Sequence, residues 1–423
     1  NSEILMNYLT MGFSDYSNKT FFKDIFSLPG GHNLTYCLKN KAFKINQFYD
    51  LEVNDNYSSM SLEEVLDEYK KLLEDSIEIR LRSDVEVGTC LSGGLDSSTI
   101  ASIASRKSKN NFSAITASSL DANNNELEYA KIVASSSKID LNIVEPDNSS
   151  FINSLDNIIY ALDEPHSSVS ALMQYSVFQK AKKIGCKVML DGQGGDETLL
   201  GYERYYPAII LSQPVINIPT TFIKIIKNSK LTFRDLVKYI FYFSNYNIRR
   251  SYILKKHSNI NKKYLENIDW SILKKWSSSY LDINSLQKKE LFSYQLPHLL
   301  RYEDRLSMVN SVESRLPLID YRLVELVYSI NVKHKVNNGY TKYLNRKYIE
   351  SYLPEEIAWR KNKIGFEGPS SLLYEKNKDQ IFKSINNSNL LNAIFNNFDS
   401  ISEPLIWKLF FISKWEKAFN VKM

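Results

Sequence analysis

Two short stretches of this chain combine glycine, serine and acidic residues in spacings that suit phosphate chemistry. The first is Leu91-Ser92-Gly93-Gly94-Leu95-Asp96-Ser97-Ser98. An apolar strand pattern precedes it and a helical pattern follows. Glycines at such a junction let the backbone turn tightly, while amides and serine hydroxyls at a helix N-terminus bind anions. The stretch lacks the lysine of GxxxxGK[ST] and the spacing of GxGxxG, so neither of those phosphate loops is present. An aspartate in their place suggests a divalent cation held beside phosphate oxygens. The second stretch is Val188-Met189-Leu190-Asp191-Gly192-Gln193-Gly194-Gly195-Asp196-Glu197, followed by Gly201-Tyr202. It too runs from a strand into a glycine turn, and ligands of open α/β sheets bind at strand C-termini. Asp96 and Asp196, from two strand ends, could together hold Mg²⁺ against pyrophosphate oxygens. The plainer readings are a glycine-rich turn and a helix cap at Asp196-Glu197.

The elements that must carry these residues are legible around them. Ser61 with Glu64 three residues on, ahead of apolar residues at helical spacing, predicts a capped amphipathic helix. Strands are expected at Val85–Leu91, Phe112–Ala117, Leu141–Val144 and Lys187–Leu190. Helices are expected near Glu126–Ser136 and Ala171–Ile184, and the alternation implies a parallel α/β sheet. From Tyr202 onward helical pattern dominates. The 423 residues carry 43% hydrophobic and 24% charged residues with a net charge of +5, a globular balance that demands no nucleic-acid partner. The basic segment 240–265, with Arg249, Arg250, Lys255, Lys256, Lys262 and Lys263, reads as a solvated helical surface. Cys37, Cys90 and Cys186 lie far apart and in no CxxC spacing, against a disulfide scaffold or zinc site. No apolar run approaches a membrane span and no signal peptide is visible, so a cytoplasmic protein is expected. The missing initiator Met hints that something upstream has been removed.

Ser92 to Ser98 resembles the pyrophosphate loop of the ATP pyrophosphatase superfamily, and the second stretch resembles the second signature of the asparagine synthetase family. Further stretches strengthen the likeness in the family's order: Leu162-Asp163-Glu164-Pro165 with Ser170-Ala171-Leu172, the run from Leu300 to Asp320, Gly339-Tyr340-Thr341-Lys342, and Arg360 to Phe366. The resemblance implies a parallel five-stranded sheet flanked by helices, like that of the adenine nucleotide alpha hydrolases, with a mostly helical C-terminal part. It implies residues 1–57 as the end of an N-terminal glutaminase domain and 58–423 as the synthetase domain, α/β to about 202 and helical thereafter.

Its functional implication is an AMP-forming ligase that converts L-aspartate to L-asparagine through β-aspartyl-AMP, with ATP, Mg²⁺ and ammonia. Adenine is expected beside Leu91 and Ile115, the ribose and α-phosphate near Asp191 and Gly192. Pyrophosphate is expected over Ser92, Gly93, Gly94, Asp96, Ser97 and Ser98, Mg²⁺ on Asp96 and Asp196, with Lys342 and Lys363 reaching the phosphates. The 301–320 stretch is expected to grip aspartate. Family glutaminases use a cysteine as residue 1; this chain starts with Asn1, so ammonia arrives free, from a domain cut away, or from another subunit. Homodimers are usual in the family. One departure is Gln193, where many members carry a glutamate that helps deprotonate ammonia; an amide is no base but can orient the nucleophile. A sibling ligase or cyclase acting on a sugar acid, peptide or lactam precursor is the alternative, and an RNA-binding tRNA-modifying ATP pyrophosphatase a third reading.

Overall fold

The computed structural model describes residues 1–108, 112–121, 125–361, 365, 367–399 and 401–422. Its centre is a five-stranded, all-parallel sheet: β3 (Val87–Cys90), β4 (Ser113–Ala117), β5 (Asp140–Val144), β6 (Val188–Leu190) and β7 (Glu313–Arg315), in the order β5-β4-β3-β6-β7. β6 is buried along its whole length, as a strand covered on both faces must be. The helices Leu62–Leu81, Leu95–Lys107 and Leu127–Ser137 contribute to the core on one face. Asn148–Leu162, Ser170–Lys183 and Glu403–Phe419 contribute to the core on the other. The first of these helices has the expected capping box, with Ser61 Oγ accepting from Glu64 N at 3.3 Å and Glu64 Oε2 accepting from Ser61 N at 2.8 Å.

The chain places β4 and β5 on one side of β3 and β6 and β7 on the other. Strand order therefore reverses between β3 and β6, and a crevice opens at their C-terminal ends. Both glycine-rich stretches leave the sheet there.

β7 comes from a part of the chain where helical pattern dominates. Three residues carry no periodicity; they form a strand because Glu313 N donates to Lys187 O at 2.8 Å and the run pairs with β6. The opening segment contributes a helix, Ser2–Met11, whose Ile4, Met6 and Leu9 join the core that contains Trp415. It also contributes an antiparallel hairpin, β1 (His32–Cys37) with β2 (Ala42–Gln47), in which Leu34 faces Ile45 and Tyr36 faces Phe43. His32 Nδ1 lies 2.8 Å from Gly30 O, a contact within the turn. Arg249, expected on a solvated face, is buried with its guanidinium 3.6 Å from the Trp276 ring centroid. No helix among the described residues is long and apolar enough to cross a membrane.

Candidate active site

The loop from Leu91 to Gly94 joins β3 to the Leu95–Lys107 helix. Its shape is set by Gly93, at φ 77°, where an added Cβ would stand 2.6 Å from Ala130 N. No other residue fits that turn. Gly94 caps the helix without any side-chain hydrogen bond, leaving its first amides available to an anion. Ser92 and Ser97 line the loop: their Oγ atoms are 3.0 Å apart, and Ser92 Oγ accepts from Gly94 N at 3.2 Å. Ser98 is fully buried and is not brought to the loop surface with them. Leu91 and Ile115 are joined through the backbone, Leu91 N donating to Ile115 O at 3.0 Å. Both side chains are in the core, so an adenine here would meet main chain rather than exposed side chains.

The second loop lies directly on the first. A Cβ at Gly192 would be 2.8 Å from Ser97 N, and one at Gly195 would be 2.5 Å from Asp96 Cγ. Glycine at these positions is what lets the two backbones touch. The short helix Gly195–Thr198 then carries Asp196 to the same place as Asp96. Lys342 arrives from a third segment and pairs with both carboxylates, its Nζ 2.6 Å from Asp196 Oδ1 and also bonded to Asp96 Oδ2. Its side chain is only 7% exposed. Burial works against the ammonium charge, but Asp196 and Asp96 outweigh it and hold the lysine pKa above its usual range. Lys342 itself sits at φ 53°, an uncommon conformation for a residue with a side chain.

Three residues without an assigned role in the sequence support this arrangement. Arg360 ion-pairs with Glu126, stacks 3.9 Å from the Tyr129 ring centroid, and donates to Gly93 O at 3.2 Å, so it braces the first loop from outside. Arg346 donates to Thr341 O at 2.8 Å and to Ala358 O at 2.8 Å, tying the Lys342 turn to the segment leading to Arg360. Glu197, buried beside Asp196, accepts from Tyr202 OH at 2.7 Å; burial first and the Asp196 charge second raise its pKa to about 7. Their signal in the sequence was no more than proximity to the motifs.

Asp191 is half-buried at the end of β6, where Oδ1 accepts from Gln193 N at 3.1 Å. Gln193 is half-buried on the same loop. In the 301–320 stretch, Arg301 is engaged by Asp15 at 2.6 Å and Glu164 at 2.8 Å, and Arg315 by Glu313 at 2.8 Å. Lys363 lies outside the described residues.

The residues present fit a magnesium nucleotide. Mg²⁺ takes hard oxygen ligands, commonly one or two carboxylates completed by substrate phosphates. Asp96 and Asp196 supply that pair around a position that already holds the Lys342 cation, next to uncapped helix amides. Among the described residues no group of three or more His, Cys, Asp or Glu is arranged around a metal position, so phosphate oxygens would have to complete the shell.

The family model described as asparagine synthase matches residues 68–397. The chain belongs to the asparagine synthase family. Among curated relatives, asparagine synthetase [glutamine-hydrolyzing] 1 of Bacillus subtilis is 29% identical over 74% of this chain and 51% of its own length. Asparagine synthetase [glutamine-hydrolyzing] 2 of the same organism is 27% identical over 90% of this chain and 50% of its own length. Amidase chyE of Penicillium rubens is 25% identical over 83% and 60%. This chain thus spans about half the length of the curated asparagine synthetases it matches. Among solved structures, the NH3-dependent NAD synthetase of Campylobacter jejuni aligns with a TM-score of 0.25 at 18% identity, covering 53% of this chain and 96% of that one.

Proposed function

We propose that this asparagine synthase family member is an AMP- and pyrophosphate-forming amide ligase that makes L-asparagine from L-aspartate, ATP and ammonia. The observation that carries the reading is the meeting of Asp96, Asp196 and Lys342, from three separate segments, at the crevice where strand order reverses. In this reading residues 58–423 are the synthetase part, and residues 1–57 lead into it.

The first loop and the first amides of the Leu95–Lys107 helix take the β- and γ-phosphates, and the Asp191–Gly192 backbone borders the α-phosphate. A carboxylate oxygen of aspartate attacks the α-phosphorus as the bond to pyrophosphate breaks. Lys342, held ready between two carboxylates, offsets negative charge that grows on the departing pyrophosphate. Mg²⁺ bound by Asp96 and Asp196 would neutralise phosphate charge in the same place. Ammonia then attacks the acyl carbon and AMP leaves, with Gln193 hydrogen-bonding the incoming nitrogen. Ammonia comes from solution or from a glutaminase domain or subunit, since two of the relatives bear the name glutamine-hydrolyzing. The test is AMP and pyrophosphate release from MgATP and ammonium, with and without L-aspartate. Equal amounts of both products with asparagine formed support the reading. No ATP binding sinks it.

A second reading replaces aspartate by another carboxylate. It is supported by similarity to two proteins named amidase, chyE and chry2, each over 83% of this chain, and by Gln193. ATP binding without stimulation by aspartate, and stimulation by a sugar acid or peptide acid instead, would favour it.

A further inference from the structure

An amine that attacks an acyl-adenylate must lose a proton, and Gln193 has no group basic enough to take it. A carboxylate lies two residues back. Asp191 sits at the seam of the two loops, half-buried, with Oδ1 accepting from Gln193 N at 3.1 Å; its neighbour Gly192 packs on Ser97 N. Asp191 N donates to Arg315 O at 3.0 Å, and the preceding β7 residue, Ser314, bonds Glu303, which lies on the Leu296–Met308 helix and is 2% exposed. Ser314 Oγ donates to Glu303 Oε1 at 2.6 Å and Gln174 Nε2 donates to Oε2 at 2.5 Å. The other titratable groups acting on this pair are the Cys90 thiol, Asp96 and Asp304. None of the ion pairs among the described residues includes Asp191 or Glu303.

Two such carboxyls close together without a cation do not both ionise. Burial and then the Asp191 charge push the Glu303 pKa well up. Burial raises Asp191 too, but the Cys90 thiol and the amides of Gly192 and Gln193 stabilise its anion. Asp191, half-buried at the strand end beside Gln193, is the member placed to exchange a proton with the crevice, while Glu303 is enclosed. Neither sequence motif announces the pair, because 112 positions separate its members.

Resting on the amide-ligase reading, we propose that Asp191 is the proton acceptor for the attacking nitrogen, with Glu303 a positioning residue. The nitrogen lone pair forms the C–N bond to the acyl carbon. The C–O bond to AMP breaks with its electron pair going to the phosphate oxygen, and a proton from nitrogen passes to an Asp191 carboxylate oxygen.

The test compares two nucleophiles on one adenylate, formed from MgATP and L-aspartate. Ammonia is mostly protonated at neutral pH, whereas hydroxylamine is not. The measured quantity is amide formed from ammonium divided by hydroxamate formed from hydroxylamine, so that any effect of Asp191 on nucleotide binding cancels. D191N should lower that ratio about 10²-fold, and D191E should restore part of it. E303Q, which exchanges one neutral group for another, should leave the acid limb of the ammonium profile in place. An unchanged ratio in D191N overturns the inference. Absence of aspartate-dependent pyrophosphate release by the wild type would instead count against the amide-ligase reading with aspartate. An infrared difference spectrum between wild type and E303Q near neutral pH checks the inference independently of turnover. A protonated-carboxyl band lost in E303Q supports it, and no such band overturns it.

Discussion

Gly201 is the position where a single methyl group would most directly test the proposed site. A Cβ there would stand 2.0 Å from Asp196 Oδ1, 2.1 Å from Lys342 Cε and 3.0 Å from Asp196 Cα. Ordinary contact for carbon is about 3.5–4.0 Å, so carboxylate and lysine would each have to retreat by roughly 1.5 Å. The lysine side chain, 7% exposed, has little space to do so. Gly201 does not lie in the left-handed region, so backbone conformation adds nothing and the effect is purely one of room. Overpacking of this kind costs about 1–3 kcal/mol of stability. A displacement near 1 Å in a reacting constellation costs about 10²-fold in rate. G201A is therefore expected to fold, to unfold at lower denaturant, and to lose about 10²-fold in MgATP-dependent pyrophosphate release. G30A is the control: a Cβ there meets nothing within 4 Å, and its stability should stay within about 1 kcal/mol of wild type. Wild-type turnover and stability in G201A would refute the reasoning, because the Asp196–Lys342 contact could then not be where catalysis needs it.

K342M removes the cation between two largely buried carboxylates. A loss of about 3–5 kcal/mol is expected, partly restored by Mg²⁺, which thermal unfolding with and without MgCl₂ measures. An equal Mg²⁺ increment in wild type and variant would contradict this. Because the folded-state lysine pKa is raised, its contribution is complete below the unfolded value and is lost only at still higher pH, so the K342M deficit should be flat across neutrality. D196N should lower Mg²⁺-dependent pyrophosphate release by about 10²-fold or more; retention of activity would remove Asp196 from the metal site. Glu197 ionises near 7 in the folded protein against about 4.3 when unfolded. Between those values the folded state keeps a proton that the unfolded state has lost, so stability falls as pH rises, by up to about 1.4 kcal/mol per unit. Relative to wild type, E197Q should therefore gain stability in denaturant titrations between about pH 5 and pH 8. A pH-independent difference would show that Glu197 is already ionised.

Much of the site was readable because its parts are local. The turn at Gly93, the capping box of Ser61 and Glu64, and the apolar run Val188–Leu190 each depend on a few adjacent residues, and their chemistry declares itself in one dimension. The supporting shell was not readable. Arg360 and Gly93 are joined across 267 positions, and Arg360 looks in sequence like any surface arginine. Arg249 likewise sits in a basic run, yet its burial against Trp276 depends on how two helices pack. Where a short strand ends up is decided by its neighbour, which is why β7 was legible only once β6 offered it an edge.

By itself the sequence determined that two glycine-bearing loops would each end a strand and each carry an aspartate, since turn geometry and strand hydrophobicity are properties of short segments. Only the tertiary structure decided that the loops lie against each other, with Lys342 between Asp96 and Asp196. It alone joined Glu303 to Ser314 on β7, beside the β6 end that carries Asp191. Those pairings follow from the reversal of strand order between β3 and β6 and from the packing of helices on the sheet. Such long-range contacts are fixed when the whole core closes, and no single stretch of the chain encodes them.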